Sequence, residues 1–320
     1  MLSRRSFLNG TLAAGAGLTL GSQQTAAQAP AAQPARKRVI VDSQVHIWKA
    51  STPERPWVPG TVPQLPEPFT IERLVLMMDE AGVDRVVIVP PILEGDRLDY
   101  AQEAVKRYPG RFGIMGRLAL DNPNAAVRLA RWKEQAGVLG VRLNFTARQA
   151  ANQQVVGWLT DGTADWFWPA AEKLGVPVMF STTAQTALFG PIAERHPQLS
   201  LIISHMGVSF EAVRKKMPLS DLIAQSAALA KYPNVSVKLS SSPLFSSETY
   251  PFRDVSSYIH RLFDAYGPQR CYWGTDITNS LAKATYRQRI THFTEELGFL
   301  SEEDKDWIMG RALLAQLGWA

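Results

Sequence analysis

The stretch Asp42-Ser43-Gln44-Val45-His46 decides how this chain folds and what its first strand can do. It follows the apolar run of residues 38–41, which predicts a first strand that is buried on both faces. An Asp at the end of such a strand, followed by His-x-His, would present two imidazoles at a spacing suited to a metal ion. Here a glutamine takes the first place, so one imidazole remains. The stretch predicts a polar site at a strand end, with a lowered affinity for any metal ion.

Seven further apolar runs follow along the chain, and each has the length and the β-branched composition of a buried strand. They cover residues 84–90, 112–116, 139–143, 176–180, 199–203, 235–239 and 270–274. Amphipathic stretches separate them, and eight strands that alternate with helices predict an α/β fold, a (β/α)8 TIM barrel over residues 38–320. Residues 301–317 predict a C-terminal closing helix. An open, doubly wound sheet is the competing interpretation, but no glycine-rich phosphate turn follows the first strand to support it.

The N-terminal residues 1–29 have the features of a twin-arginine signal peptide. Arg4 and Arg5 precede an Ala- and Gly-rich apolar stretch that is too short for a membrane span. Residues 30–37 then predict a disordered lead-in. We therefore expect a periplasmic protein without a membrane span after processing, with an uncleaved, anchored helix as the alternative. The single Cys271 excludes an internal disulfide, which fits folding before export.

The charge distribution bears on the class of partner. The formal net charge is +5. The sequence contains no basic stripe with interleaved aromatic residues, so a nucleic-acid partner is not indicated. A small-molecule substrate is the expected partner. A homodimer is the default expectation for the assembly.

Polar residues recur where the predicted strands end. In a TIM barrel these positions share one face, which is the face that carries the chemistry. Charged groups so close to apolar runs are costly unless they are paired or functional. The residues concerned are Gln44, His46, Arg142, Asn144, Ser181, His205, Lys238, Ser240 and Asp276. Each one alone has a structural explanation, but their convergence on one barrel mouth predicts a site.

Five of these strand-end segments together resemble the amidohydrolase superfamily, in its amidohydrolase-2 branch. The segments are residues 41–48, 140–144, 202–207, 235–240 and 273–276, in the correct order along about residues 38–318. The resemblance implies a barrel hydrolase, similar to sugar-lactone hydrolases and to 2-pyrone-4,6-dicarboxylate lactonase. Relatives with a metal use His-x-His or Glu-x-His at the first strand and usually a His at the end of the fifth. This chain has Gln44 and Ser181 at those places.

The residues permit a lactonase that opens a carboxylated or polyhydroxylated lactone with an activated water. Asp276 would be the general base, and His46 and His205 would polarise the carbonyl group. The substrate would be bound by Arg142, Asn144, Lys238, Gln44 and Ser181, with Trp48 in the pocket wall.

Two alternatives and the question of a cofactor stay open. No cofactor is favoured. A divalent Zn or Mn ion would have only His46, His205 and Asp276 as ligands, and open zinc sites need three. A metal-dependent decarboxylase of an aromatic or unsaturated acid is one alternative. A barrel that binds a small acid without turning it over is the other.

Overall fold

The computed structural model describes residues 37–146 and 157–320. The predicted signal peptide and all of the predicted lead-in except Lys37 lie outside the described residues. Residues Arg38–Ala320 form one compact unit. Within the two described ranges, no helix has both the length and the apolar character that a bilayer crossing requires.

Eight parallel strands follow one another around a barrel in chain order. They are β1 (Val41–Val45), β2 (Arg85–Ile88), β3 (Phe112–Arg117), β4 (Val138–Phe145), β5 (Val178–Thr182), β6 (Leu201–Ile203), β7 (Val235–Lys238) and β8 (Cys271–Tyr272). The backbone joins the last strand to the first, because Ser43 N–H donates to the Trp273 carbonyl at 3.2 Å and Asp276 N–H donates to the Gln44 carbonyl at 2.9 Å. The predicted TIM barrel is confirmed.

Helices fill the connections between the strands. Among the described residues they are α1 (Ile71–Ala81), α2 (Asp99–Arg107), α3 (Ala125–Ala130), α4 (Phe167–Lys173), α5 (Phe189–Arg195), α6 (Phe210–Arg214), α7 (Leu219–Ala228), α8 (Ser242–Phe245), α9 (Ser256–Tyr266), α10 (Tyr286–Thr291), α11 (Glu302–Asp306) and α12 (Ala312–Leu317). Helix α1 shows why the boundaries fall where they do. The Thr70 hydroxyl accepts from the Arg73 N–H at its start, and Gly82 ends it with a φ of 77°.

The C-terminal segment closes the bottom of the barrel. A π-helical turn at Trp307–Arg311 joins α11 to α12. Ala312, Leu313 and Leu317 pack against side chains that point into the barrel, such as Val41 and Met179. This apolar plug leaves the opposite end, where the strands finish, as the accessible mouth.

The first strand begins later than the sequence predicts. Arg38 pairs with Glu302 and Asp306 of α11, each at 2.7 Å, so the chain there runs along the closing helix instead of entering the sheet. The strand starts at Val41 and therefore contains Asp42 and Gln44. The decisive stretch lies within the barrel wall, and only His46 follows the strand.

Candidate active site

A cavity of about 400 Å³ opens at the carboxyl ends of the strands. The connection between β1 and α1 forms one side of it, and Gln64 of that connection accepts a 2.7 Å hydrogen bond from the Thr278 hydroxyl across the mouth. Six of the residues predicted from the sequence line this cavity: Gln44, His46, Arg142, Asn144, Ser181 and His205. The strand ends therefore converge as the barrel predicts.

Three predicted site residues are fully buried and do not line the cavity: Trp48, Lys238 and Asp276. Trp48 stacks against Phe69 in the core that surrounds the barrel, with ring centroids 6.2 Å apart. This position does not fit the predicted role in the pocket wall. Lys238 lies below the cavity floor, so it does not reach a substrate in this arrangement.

Sequence reasoning missed Arg117, which lines the cavity at the end of β3. It stands opposite Arg142 in the register of β3 with β4. The apolar run predicts a third strand that ends at Gly116, one residue too early, and so it does not mark Arg117 as a strand end. Asn279 also lines the cavity and was not predicted. Its position three residues after Asp276 is the sequence feature that could have indicated it. The Asn279 amide donates to both carboxylate oxygens of Asp276 at 2.9 Å.

His46 is held between a backbone carbonyl and a carboxylate. Its Nδ1 lies 2.6 Å from the Val89 carbonyl oxygen, which can only accept, so Nδ1 carries the hydrogen. Its Nε2 lies 3.1 Å from Oδ1 of Asp276 and 3.3 Å from Nε2 of Gln44. Only one proton fits between Nε2 and Oδ1, so His46 and Asp276 act together as one proton-exchanging pair.

His205 is connected to the other oxygen of the same carboxylate through a hydroxyl. Its Nδ1 lies 2.9 Å from Ser241 Oγ, which donates to Oδ2 of Asp276 at 3.0 Å. A second hydroxyl, that of Ser240, is also 2.9 Å from Nδ1. Burial lowers the pKa of His205 to about 3, against the opposing charge of Asp276, so the ring is neutral at neutral pH. A neutral ring with Nδ1–H offers only a lone pair at Nε2, which does not fit the predicted role in polarising a carbonyl group.

Asp276 is ionised at neutral pH. Burial alone would raise its pKa, but His205, His46 and Asn279 together hold the pKa well below its usual value. The residue itself has a left-handed backbone with a φ of 49°, which turns its side chain back under the two imidazoles. Its carboxylate is therefore a proton acceptor placed behind the histidines.

The two arginines give the cavity wall a positive charge. Burial lowers the pKa of Arg117 to about 10 and that of Arg142 to about 9, where the charge of Arg117 adds to the effect. Both stay charged at neutral pH. Arg142 donates a short hydrogen bond to Ser204 Oγ. Among residues 37–146 and 157–320, no carboxylate lies within ion-pair distance of either guanidinium. Asp96 and Asp276 act on Arg117 and Arg142 only from beyond ion-pair distance, so the two adjacent guanidinium groups can bind a further anion.

The set proposed for a divalent metal does not fit one as arranged. Within the described part of the chain, no group of three or more His, Cys, Asp or Glu side chains could hold a metal ion. The Nε2 atoms of His46 and His205 both lie near the amide nitrogen of Gln44, at 3.3 and 3.0 Å. Because the amide nitrogen lies near both imidazole nitrogens that zinc would need, we derive no chemical step through a metal.

A barrel with a buried carboxylate behind two imidazoles, open at the strand ends, is the architecture of a barrel hydrolase. The chain matches the family described as Amidohydrolase (Amidohydro_2) over residues 41–312, and it belongs to that family. The predicted membership and the predicted hydrolase are thus confirmed.

Two curated relatives and one solved structure illustrate the likeness. The 4-sulfomuconolactone hydrolase of Hydrogenophaga intermedia is 28% identical over 226 residues, 67% of each chain. The L-fucono-1,5-lactonase of Burkholderia ambifaria is 23% identical over 246 residues, 74% of this chain and 79% of its own. An amidohydrolase structure from Burkholderia multivorans with bound zinc has a TM-score of 0.70 at 20% identity, and the alignment covers 88% of this chain and 99% of that one. The structural likeness shows the fold alone.

Proposed function

We propose that this protein is a lactonase that hydrolyses a lactone bearing an anionic group. The observation that carries the proposal is the pair Arg117 and Arg142, two guanidinium groups in the cavity wall with no carboxylate within ion-pair distance among the described residues. An anionic substituent would supply the missing charge and be held by fork-shaped donors. The names of both curated relatives describe enzymes that hydrolyse a lactone, which supports a lactone ester as the bond that this protein cleaves.

The reaction adds one water to the lactone and releases a hydroxy acid. Water attacks the carbonyl carbon, its proton passes to the His46–Asp276 pair, and the ring C–O bond then breaks. The proton leaves the pair for the departing oxygen, so the site returns to its starting state. The charge that develops on the carbonyl oxygen would be stabilised by Arg142, whose charge lies in a buried, weakly screened environment. Asn144 and Ser181 line the same cavity and would bind further oxygens of the substrate.

We also propose that this hydrolysis needs no metal, because the donor set of the site is engaged by an amide. The test is metal content by elemental analysis, paired with hydrolysis of carboxylated, polyhydroxylated and neutral lactones before and after chelation. We expect activity that survives chelation and a preference for the anionic lactone over its neutral analogue of at least about 100-fold in kcat/KM. Loss of activity on chelation would overturn the metal-free route. Equal rates on neutral and anionic lactones would overturn the substrate class, and release of CO2 from an aromatic acid would favour the decarboxylase.

We propose export by the twin-arginine route from the motif at residues 3–8 alone. The test is localisation of the full chain against an Arg4→Lys, Arg5→Lys variant in the same host. Retention of the variant in the cytoplasm with the parent in the periplasm is the expected result. Equal localisation would refute the proposal.

A further inference from the structure

The residue before Asp276 has all of its polar groups engaged, in the backbone and in the side chain. Thr275 N–H donates to Oδ1 of Asp42 at 2.8 Å, and the Thr275 hydroxyl donates to Oδ2 of the same carboxylate. The Thr275 carbonyl accepts from the Arg289 guanidinium at 3.4 Å. Asp42 and Arg289 are both buried. One buried carboxyl group and one buried guanidinium thus hold a single residue by its donors and by its acceptor.

Asp276 needs this support because its backbone is left-handed. Its φ of 49° and ψ of 41° lie in a region that a residue with a Cβ disfavours. The peptide group before it is fixed at both ends: its carbonyl accepts from Arg289, and its N–H, which belongs to Asp276, donates to the Gln44 carbonyl at 2.9 Å. The peptide group after it is fixed at its carbonyl, which accepts from Asn279 N–H at 3.0 Å. Two fixed peptide groups supply the over-determination that such a conformation requires.

Helix α10 supplies two side chains that hold the loop before it. Tyr286 and Arg289 are three residues apart, a spacing that places side chains on the same face of a helix. The Tyr286 hydroxyl donates to Oδ2 of Asp42 at 2.7 Å. The Arg289 guanidinium donates to two further carbonyls of the loop, that of Ser280 at 2.6 Å and that of Ala284 at 3.3 Å. The helix therefore holds the preceding loop at three carbonyls in all.

The chain just before this loop has no room to shift. Gly274 lies so close to β1 that a Cβ there would be 2.2 Å from Ser43 Oγ and 3.2 Å from Oδ1 of Asp42. The Trp273 carbonyl accepts from Ser43 N–H at 3.2 Å. This segment is therefore fixed against β1, and the direction in which the chain leaves it depends on the partners of Thr275.

We propose that Asp42, Tyr286 and Arg289 are positioning residues that together form a frame. The frame acts through Thr275 and holds Asp276 in the left-handed conformation that turns its carboxylate under the two imidazoles. The groups proposed to bind the substrate are separate from the frame, so a loosened frame should slow the reaction and leave binding intact. Only this consequence for the rate rests on the proposed hydrolysis.

The first test needs no substrate and follows amide hydrogen exchange, residue by residue, by NMR on the 15N-labelled protein. The N–H groups of Thr275 and Asp276 lie outside any strand or helix. The frame nevertheless predicts that they exchange as slowly as the N–H of Leu239, which donates to the Tyr272 carbonyl at 2.8 Å between β7 and β8. Exchange of either at the rate of an exposed loop amide would overturn the proposal, and this measurement requires no variant to fold.

Two conservative variants then loosen the frame. Tyr286→Phe deletes only the hydroxyl that donates to Asp42, and Arg289→Lys keeps the charge but has one nitrogen in place of the branched guanidinium. We expect the amides of Thr275 and Asp276 to exchange about 10-fold faster in each variant, the factor that follows from the loss of one hydrogen bond. Unchanged exchange of these two amides in both folded variants would overturn the proposal.

Tyr272→Phe and Arg270→Lys are the matched controls. The Tyr272 hydroxyl lies 3.1 Å from Oε1 of Gln316 in the closing helix α12, away from the loop after β8. Arg270 donates to backbone carbonyls, as Arg289 does, but at the start of β8. Neither control should change the exchange of the two amides in the loop. Equal acceleration in the controls would show a general loss of stability and would refute the frame.

The second test measures the reaction. In Arg289→Lys, kcat should fall about 10-fold, while affinity for the hydroxy acid formed from the best lactone substrate stays close to the parent value by calorimetric titration. Arg289→Met should lose more of kcat, so that the lysine variant shows partial rescue. A merely structural role would lower the unfolding midpoint and leave kcat unchanged at a temperature well below it. Unchanged kcat, or an equal loss of product affinity, would overturn the positioning role. If the parent protein hydrolyses no lactone, the exchange measurements still decide whether the frame holds Asp276.

Discussion

Ser241 Oγ donates a 3.0 Å hydrogen bond to Oδ2 of Asp276 and at the same time lies 2.9 Å from Nδ1 of His205. A single hydroxyl thus links the carboxylate to the second imidazole, while the first imidazole approaches the other carboxylate oxygen directly at 3.1 Å. The carboxylate is bridged to both rings. Substitution of Ser241 should therefore change the proton affinity of the Asp276 carboxylate, in addition to any loss of packing.

We expect Ser241→Ala to lower kcat about 10-fold, the size of effect that follows from losing one or two hydrogen bonds to a charged group. Because the hydroxyl stabilises the ionised carboxylate, its removal raises the pKa of Asp276 and moves the acid limb of the kcat/KM profile to higher pH. The measurement is a pH–rate profile. Ser240→Ala is the matched control, since Ser240 also contacts His205 Nδ1 but has no described bond to Asp276. An identical profile in both variants would contradict the bridge.

The sequence predicts the cavity because buried parallel strands have continuous apolar runs, and their carboxyl ends meet on one face. That reasoning brought together Gln44, His46, Arg142 and His205 correctly. Alternation along a strand tells which side of the sheet a side chain faces, but it does not tell how deep in the barrel it lies. Lys238 points into the barrel, as its spacing of two residues from Ser240 predicts, but it lies below the floor of the cavity.

Other features of the site depend on the path of loops, which the apolar pattern does not encode. Trp48 follows β1, and its backbone N–H donates to the Phe69 carbonyl at 3.1 Å, which holds this segment where the indole packs into the surrounding core. Asp276 turns under the histidines because of its left-handed backbone. Arg117 was missed because Gly116 interrupts the apolar run that marks β3, although the strand continues to Arg117.

Arg117→Met should raise KM for the anionic lactone by about 10- to 100-fold and leave kcat close to the parent value, since the guanidinium would hold a part of the substrate that does not react. Thermal stability should not fall, because the variant removes a half-buried cation that lies beside Arg142 and has no described ion pair. KM, kcat and the unfolding midpoint are measured together. Arg131→Met is the control, at an exposed arginine outside the cavity. The prediction is refuted if KM for a neutral lactone rises as much as KM for the anionic one.

Asp276→Asn should lower kcat by about 100- to 10,000-fold, the range that a positioned acid–base group supplies. Affinity for the hydroxy-acid product should change little, because Arg117 and Arg142 remain. The two quantities are measured by steady-state kinetics and by calorimetric titration with product. Asp254→Asn is the control, since Asp254 also has a lowered pKa but bonds to Ser246 and Ser247 and not to the imidazoles of the site. Full activity in Asp276→Asn would remove Asp276 from the proton-transfer step.

Acid should destabilise the fold through histidines that are buried in the neutral form. His292 is buried against the rings of Phe252 and Phe293, and burial lowers its pKa from 6.5 to about 4. The unfolded chain therefore binds more protons than the folded chain between these two values. The contribution of His292 to the free energy of unfolding is fully present above about pH 6.5. It declines as the pH falls towards 4, by about 3 kcal/mol in total.

The variant His292→Leu isolates this contribution, because an apolar side chain of similar size cannot gain a proton on unfolding. The Nε2 atom of His292 has no hydrogen-bond partner in the described structure, so the substitution removes no hydrogen bond at that atom. We expect the free energy of unfolding of the variant to fall less steeply than that of the parent protein between pH 6.5 and 4. Urea unfolding at several pH values measures both slopes. His205 continues to titrate in both proteins, with a pKa of about 3, so the parent and the variant should share the remaining slope below pH 4. Parallel curves between pH 6.5 and 4 would show that His292 takes up its proton in the folded state at an ordinary pKa.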